Sequence, residues 1–171
     1  TPGDFEEYEM DFINRIKSGE LESGDSIKEH GKKYYTRLGR TVYSENGITP
    51  DVFVPEQTEL LTSYVKEASM KGLLVKYAYV YTNENRKALS ELKTWEEVAA
   101  WLKKHDVVDK FADYANKNGL PRRNLLIKKS HRLLQTYLCG YIIDDLLGRD
   151  ALTRYLNSDD KCVITALKLM N

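Results

Sequence analysis

From Thr58 almost to the end of the chain, apolar residues return every three or four positions, and that period most constrains what this sequence can fold into. "TELLTSYVKEASMKG" puts Leu60, Leu61, Tyr64, Val65 and Ala68 on one helical face, with Thr58 as N-cap and Gly72 as C-cap. "LLVKYAYVYT" (73–82) fits both periods: Val75, Tyr77, Tyr79 and Tyr81 alternate like a strand, and Leu74, Tyr77, Ala78 and Tyr81 fit a helix, which we choose. "TWEEVAAWLKKH" (94–105) opens on a capping box, Thr94 with Glu97, and its buried face is expected to be Trp95, Val98, Trp101 and Leu102. Another helix is expected over 107–119. From Pro121 to Gly148 the spacing predicts one long central helix, marked by Leu126, Leu133, Leu134, Tyr137, Leu138, Tyr141, Ile142 and Leu146. Two short helices, about 150–156 and 159–170, complete the chain. The fold class is therefore mainly α, a bundle-like helical domain over 57–171.

Residues 1–56 differ. Residues 4–18 have helical spacing at Phe5, Tyr8, Phe12, Ile13 and Ile16, followed by a polar, glycine-bearing excursion over 19–34. Thr41–Tyr43 and Val52–Val54 then read as two short strands about an Asn46-Gly47 turn, closed by Pro55. This predicts a β-hairpin near the N-terminus, with an exposed edge over 39–55.

Charge limits the function classes. Lys+Arg and Asp+Glu number 26 each among 171 residues, so the basic excess of a typical nucleic-acid binder is missing. No apolar run approaches the roughly 18 residues of a membrane span. The chain opens on Thr1-Pro2-Gly3 instead of Met, and we expect it to be a piece of a longer protein.

Few residues invite chemistry. Ser63/Lys66 and Ser158/Lys161 have the spacing of a serine–lysine pair on a helix, but nothing near either would lower a lysine pKa. His30, His105 and His131 are scattered. The carboxylate pairs Glu96/Glu97, Asp144/Asp145 and Asp159/Asp160 diverge by about 100° on a helix, so none makes a dyad by itself. Asp144 and Asp145 are read as a solvated edge or as partners for Arg149 or Arg154. The basic run over 121–132 (Arg122, Arg123, Lys128, Lys129, Arg132) could hold a phosphate or an acidic partner, but reads better as a solvated helix face. Cys139 and Cys162 are read as small buried side chains or a mutual bridge. Twelve tyrosines suit a core or an interface. No cofactor or metal is implied. A metal- or carboxylate-dependent hydrolase would need a convergent polar cluster in the folded chain.

The segment "GRTVYSENGITPDVFVPEQTE" resembles the carboxyl-terminal processing, or tail-specific, serine peptidases, and their Bacteroidetes branch most. The resemblance rests on Gly39, Arg40, Val42 and Tyr43, then Gly47, Ile48, Pro50 and Asp51, then the strand-like Val52 to Pro55. "GDFEEYEMDFINRIKSGELESGDSI", "KGLLVKYAYVYTNENR" and "YLNSDDKCVITAL" are similar to flanking segments of that branch. Ser44-Glu45-Asn46-Gly47 departs from the glycine-rich turn expected after Tyr43. The resemblance implies an envelope or periplasmic endopeptidase that cleaves proteins near their C-termini with a Ser–Lys dyad and a PDZ domain. Both catalytic residues precede this segment in the family, and no position here matches them. It implies no catalytic residue in this chain; Gly39, Arg40, Gly47, Ile48, Pro50 and Asp51 would be structural. The implied partners are the protease core, the PDZ domain and a protein or peptide substrate, with self-association left open and no nucleic acid. The other reading is a free-standing helical protein-interaction module.

Overall fold

The computed structural model describes residues 32–44, 52–55 and 58–170. The chain divides into two units, Thr1–Thr58 and Glu59–Asn171. The first contains a two-stranded antiparallel sheet, β1 (Lys33–Tyr35) and β2 (Thr41–Tyr43). Its register pairs Lys33 with Tyr43, Tyr34 with Val42 and Tyr35 with Thr41. The turn is Arg37-Leu38-Gly39, with Gly39 at φ 79°. This is the three-residue hairpin loop whose last position needs a left-handed residue. Thr36 N–H donates to Arg40 O at 2.8 Å, and Gly39 N–H donates to Thr36 O at 2.9 Å. The Thr36 hydroxyl accepts from Arg40 N–H at 3.1 Å.

This corrects the expected hairpin. The partner of Thr41–Tyr43 is the end of the segment expected to be a polar excursion, not Val52–Val54, and residues 52–55 form no strand. A turn already closed by Gly39 and the Thr36 side chain outcompetes a longer connection. Asn46-Gly47 lies outside the described residues.

The second unit is helical, and the mainly α class holds. A 3₁₀ turn (Thr58–Leu60) leads into α1 (Ser63–Met70) and α2 (Leu73–Glu84). They are followed by α3 (Arg86–Leu89), α4 (Trp95–Lys104), α5 (Val107–Lys117) and α6 (Asn124–Lys129). The chain closes with α7 (His131–Leu147), α8 (Arg149–Asp159) and α9 (Lys161–Met170). The segment 73–82 is helical, as chosen, because Leu73, Leu74, Tyr77, Ala78 and Tyr81 all reach the core. The Thr94/Glu97 capping box is present, with Val98 and Leu102 buried and Trp95 and Trp101 half-buried.

Three expectations need correction. The helix after Thr58 starts four residues later than expected, because Thr62 caps it by accepting from Val65 N–H, and Leu61 is left exposed. The long helix from Pro121 is two helices. Ser130, fully buried, donates its hydroxyl to Leu126 O at 2.7 Å and accepts one from Thr62 at 3.3 Å. A serine that bonds the carbonyl four residues back competes with the helical ladder, and here it marks the break. Tyr141, expected on the buried face, is 41% exposed.

The core is built on α7, which packs against α2, α4, α5, α6 and α8. Leu134, Leu138 and Ile142 form one buried row, and Cys139 and Ile143 a second. With Gly140, the buried positions cover about two-thirds of the helix circumference at 100° per residue, as befits a helix enclosed by others. Val65, Tyr64, Leu74, Val98, Leu102, Phe111 and Leu120 close around it.

α7 passes to α8 through Gly148, at φ 83° and ψ 180°. Only glycine adopts this region without strain. An added Cβ would meet nothing within 4 Å, so the backbone alone sets the cost. Gly148→Ala is expected to destabilise the fold by about 1–3 kcal/mol, read as a lowered urea midpoint at unchanged m-value.

Candidate functional site

The two Ser-x-x-Lys pairs do not form dyads. Ser63 and Lys66 are both exposed near the start of α1. Ser158 instead donates to Tyr155 O at 2.6 Å. His105 stacks on Trp101 at 3.8 Å, its Nδ1 2.7 Å from Trp101 O, and so ends α4. His131 is exposed at the start of α7, and His30 lies outside the described residues. Among the described residues, no group of three His, Cys, Asp or Glu side chains could hold a metal ion.

Several charged side chains cap helices or join them. Glu97 completes the capping box of α4. Asp160 accepts from the N–H groups of Cys162 and Val163 at the start of α9. Asp144 pairs with Arg149 at 3.4 Å, one of the two partners expected for it. In the basic run, Arg122 bridges Asp109 and Asp113 of α5, Arg123 meets Glu67 of α1 at 3.3 Å, and Arg132 grips Asp159 of α8 at 2.6 Å. Three of its five cations thus have carboxylate partners. Lys71 joins the same end of the bundle, donating to Gly119 O at 2.7 Å and pairing with Glu67 at 3.1 Å.

The tyrosines divide into a buried set and an exposed set. In the helical domain Tyr77 meets the rings of Tyr81, Phe111 and Tyr114 at 5.1–5.5 Å, and Tyr81 meets Trp101 edge-on at 6.1 Å. A groove of about 430 Å³ runs over them, rimmed by Glu84, Lys110, Asp113 and Lys117. The hydroxyls of Tyr77 and Tyr81 are closed off from that groove and have no protein partner. The groove therefore presents ring edges and charges of both signs, and no converging polar atoms. Cys139 is buried and Cys162 exposed, and both are free. This removes the mutual bridge and corrects the expectation of burial for Cys162, which sits on the open side of α9. The Tyr155 side chain lies beside Cys139 and Thr136. The sequence reading did not single out Tyr155, which carries no motif and lies on a helix with no buried residue.

Exposed tyrosines lie on the helical domain, at Tyr79 and Tyr141, and on the hairpin. Tyr35 is 72% exposed, Tyr34 49% and Val42 38%, so apolar surface is open on both faces of the sheet. Lys32 lies over the Tyr34 ring at 5.8 Å, and Lys33 over Tyr43 at 5.7 Å. Among the described residues, no third strand joins this pair. Of the residues carrying the peptidase resemblance, Gly39 is the left-handed position of the loop, and Arg40 is the residue whose carbonyl and N–H close it. Gly47, Ile48, Pro50 and Asp51 lie outside the described residues.

Residues 64–148 match the model of a family described as "Family of unknown function (DUF8443)". The match begins within α1, ends at Gly148 and leaves out the hairpin, α8 and α9. No curated protein matches the chain. No solved structure matches it either.

The buried phenols and thiol make stability depend on alkaline pH. Burial pushes Tyr81 up from 10.0 to about 12 and Cys139 up from 9.0 to about 11, and it also raises Tyr64, Tyr77 and Tyr155. The folded state binds these protons more tightly than the unfolded chain does. Their contribution is therefore complete below pH 9 and is lost as pH rises through the folded values. Urea midpoints should be flat from pH 7.5 to 9 and fall steadily from 9 to 12. Phenolate absorbance at 295 nm should appear for these residues only with unfolding.

Proposed function

We propose that the chain is the C-terminal part of a tail-specific serine peptidase of the cell envelope. In this reading, the hairpin supports the edge of the catalytic core, and the helical domain buttresses that core, shapes access to it or mediates its self-association. What supports it is one observation: the motif residues Gly39 and Arg40 form the closing turn of a hairpin whose aromatic and apolar side chains stand open on both faces. A lone two-stranded sheet is marginal in water. This one carries the surface of a sheet that continues into other strands. The catalytic Ser and Lys belong to the preceding core, together with the PDZ domain that captures the substrate's C-terminus. The chain by itself is inactive.

A second reading, a free-standing helical interaction module, draws on α9, whose Leu167, Leu169 and Met170 are 52–75% exposed. The reading frame upstream of Thr1 separates the two: an in-frame Ser–Lys peptidase core supports the first, and an unrelated domain or a stop codon supports the second. The purified chain should release no fluorescence from labelled casein over hours. Robust cleavage by it would overturn the proposed division of labour.

A further inference from the structure

α8 and α9 form a peripheral layer joined to the rest of the helical domain by one glycine. Neither helix contains a buried residue, whereas α7 beneath them buries Cys139, Gly140 and Ile143. α8 lies on α7 and α4, and α9 packs chiefly on α8. The underside of α8 is formed by Ala151, Leu152 and Tyr155. Leu152 sits against Gly140, where a Cβ would come within 3.2 Å of its Cδ1. Tyr155 lies beside Cys139, and its ring meets Trp95 of α4 at 5.8 Å. Beyond these residues the attachment is ionic and at the surface: Arg132 to Asp159 at the far end of α8, and Asp144 to Arg149 beside the glycine. Exposed ion pairs hold weakly, and a segment with few buried apolar contacts belongs to the least stable part of a fold. The family match, which ends at the same glycine, is independent of these contacts.

We propose that α8–α9 is a strap that opens as a unit about Gly148 while α1–α7 stay folded, uncovering an apolar groove on α4 and α7 that contains Trp95 and Cys139. The strap gates that groove. This does not rest on the peptidase reading.

Cys139 reports on the opening, because it reacts only when Tyr155 leaves. The experiment uses the full chain carrying Cys162→Ser, so that Cys139 is the sole thiol. Its labelling by a chromogenic disulfide reagent is followed at urea concentrations below the unfolding transition. The strap predicts labelling whose urea dependence is less than half that of global unfolding measured by circular dichroism. Asp159→Asn, an exposed change that leaves the core intact, should speed labelling about threefold without lowering the global midpoint to match. If Cys139 stays unreactive below the transition, or its urea dependence is half the global value or more, the strap is refuted. It is equally refuted if Asp159→Asn leaves the rate unchanged or shifts it only as much as it shifts global stability.

Discussion

Everything in the helical domain depends on the enclosure of α7. A helix apolar on one stripe needs one neighbour, but α7 presents apolar positions around most of its circumference, and the chain supplies α2, α4, α5, α6 and α8 to cover them. Leu138 and Ile142, both fully buried, lie where those neighbours meet. The transfer of such side chains from water, about 1.5–3 kcal/mol each, is the dominant favourable contribution, and the ion pairs at the bundle ends orient the helices at little net gain. This explains why the conspicuous charges of the sequence, Arg122, Arg123 and Arg132, end in structural pairs and gather at no site.

Much of the helical fold was legible because its signals are local. The Thr94/Glu97 box, the apolar period of α4 and α5 and the helical option for 73–82 required only neighbours within one or two turns. The misplacements share a cause: the deciding partner was distant in sequence. Ser130, which marks the break in a continuous period, is buried against Thr62, 68 residues away, and accepts its hydroxyl bond. Thr62, not Thr58, caps α1, because Tyr64 and Val65 have to enter the core. Tyr141 fits the spacing, yet its side chain is left 41% exposed. The four-residue α3 is too short to produce a period of its own.

At the hairpin, the readable signal was misassigned. "TRLGR" contains glycine at the third loop position, which the three-residue turn requires, but Asn46-Gly47 drew the turn downstream. The observed turn gives Gly39 its physical role, the left-handed third position of the loop. No such cue existed for Tyr155 and Cys139, whose contact forms only when α8 folds back over α7. A tyrosine on a polar helix and a cysteine in an apolar run carry no mark of each other.

The exposed hairpin also affects how the chain is made. β1 and β2 leave the ribosome before any part of the helical domain, and among the described residues no third strand pairs with them. Lys32 and Lys33 at the start of β1 and Arg37 and Arg40 around the turn place four positive charges on a thirteen-residue stretch, 32–44. Two nascent chains that tried to zip together there would bring like charges into register. The cations over Tyr34 and Tyr43 therefore act as gatekeepers for an exposed apolar surface.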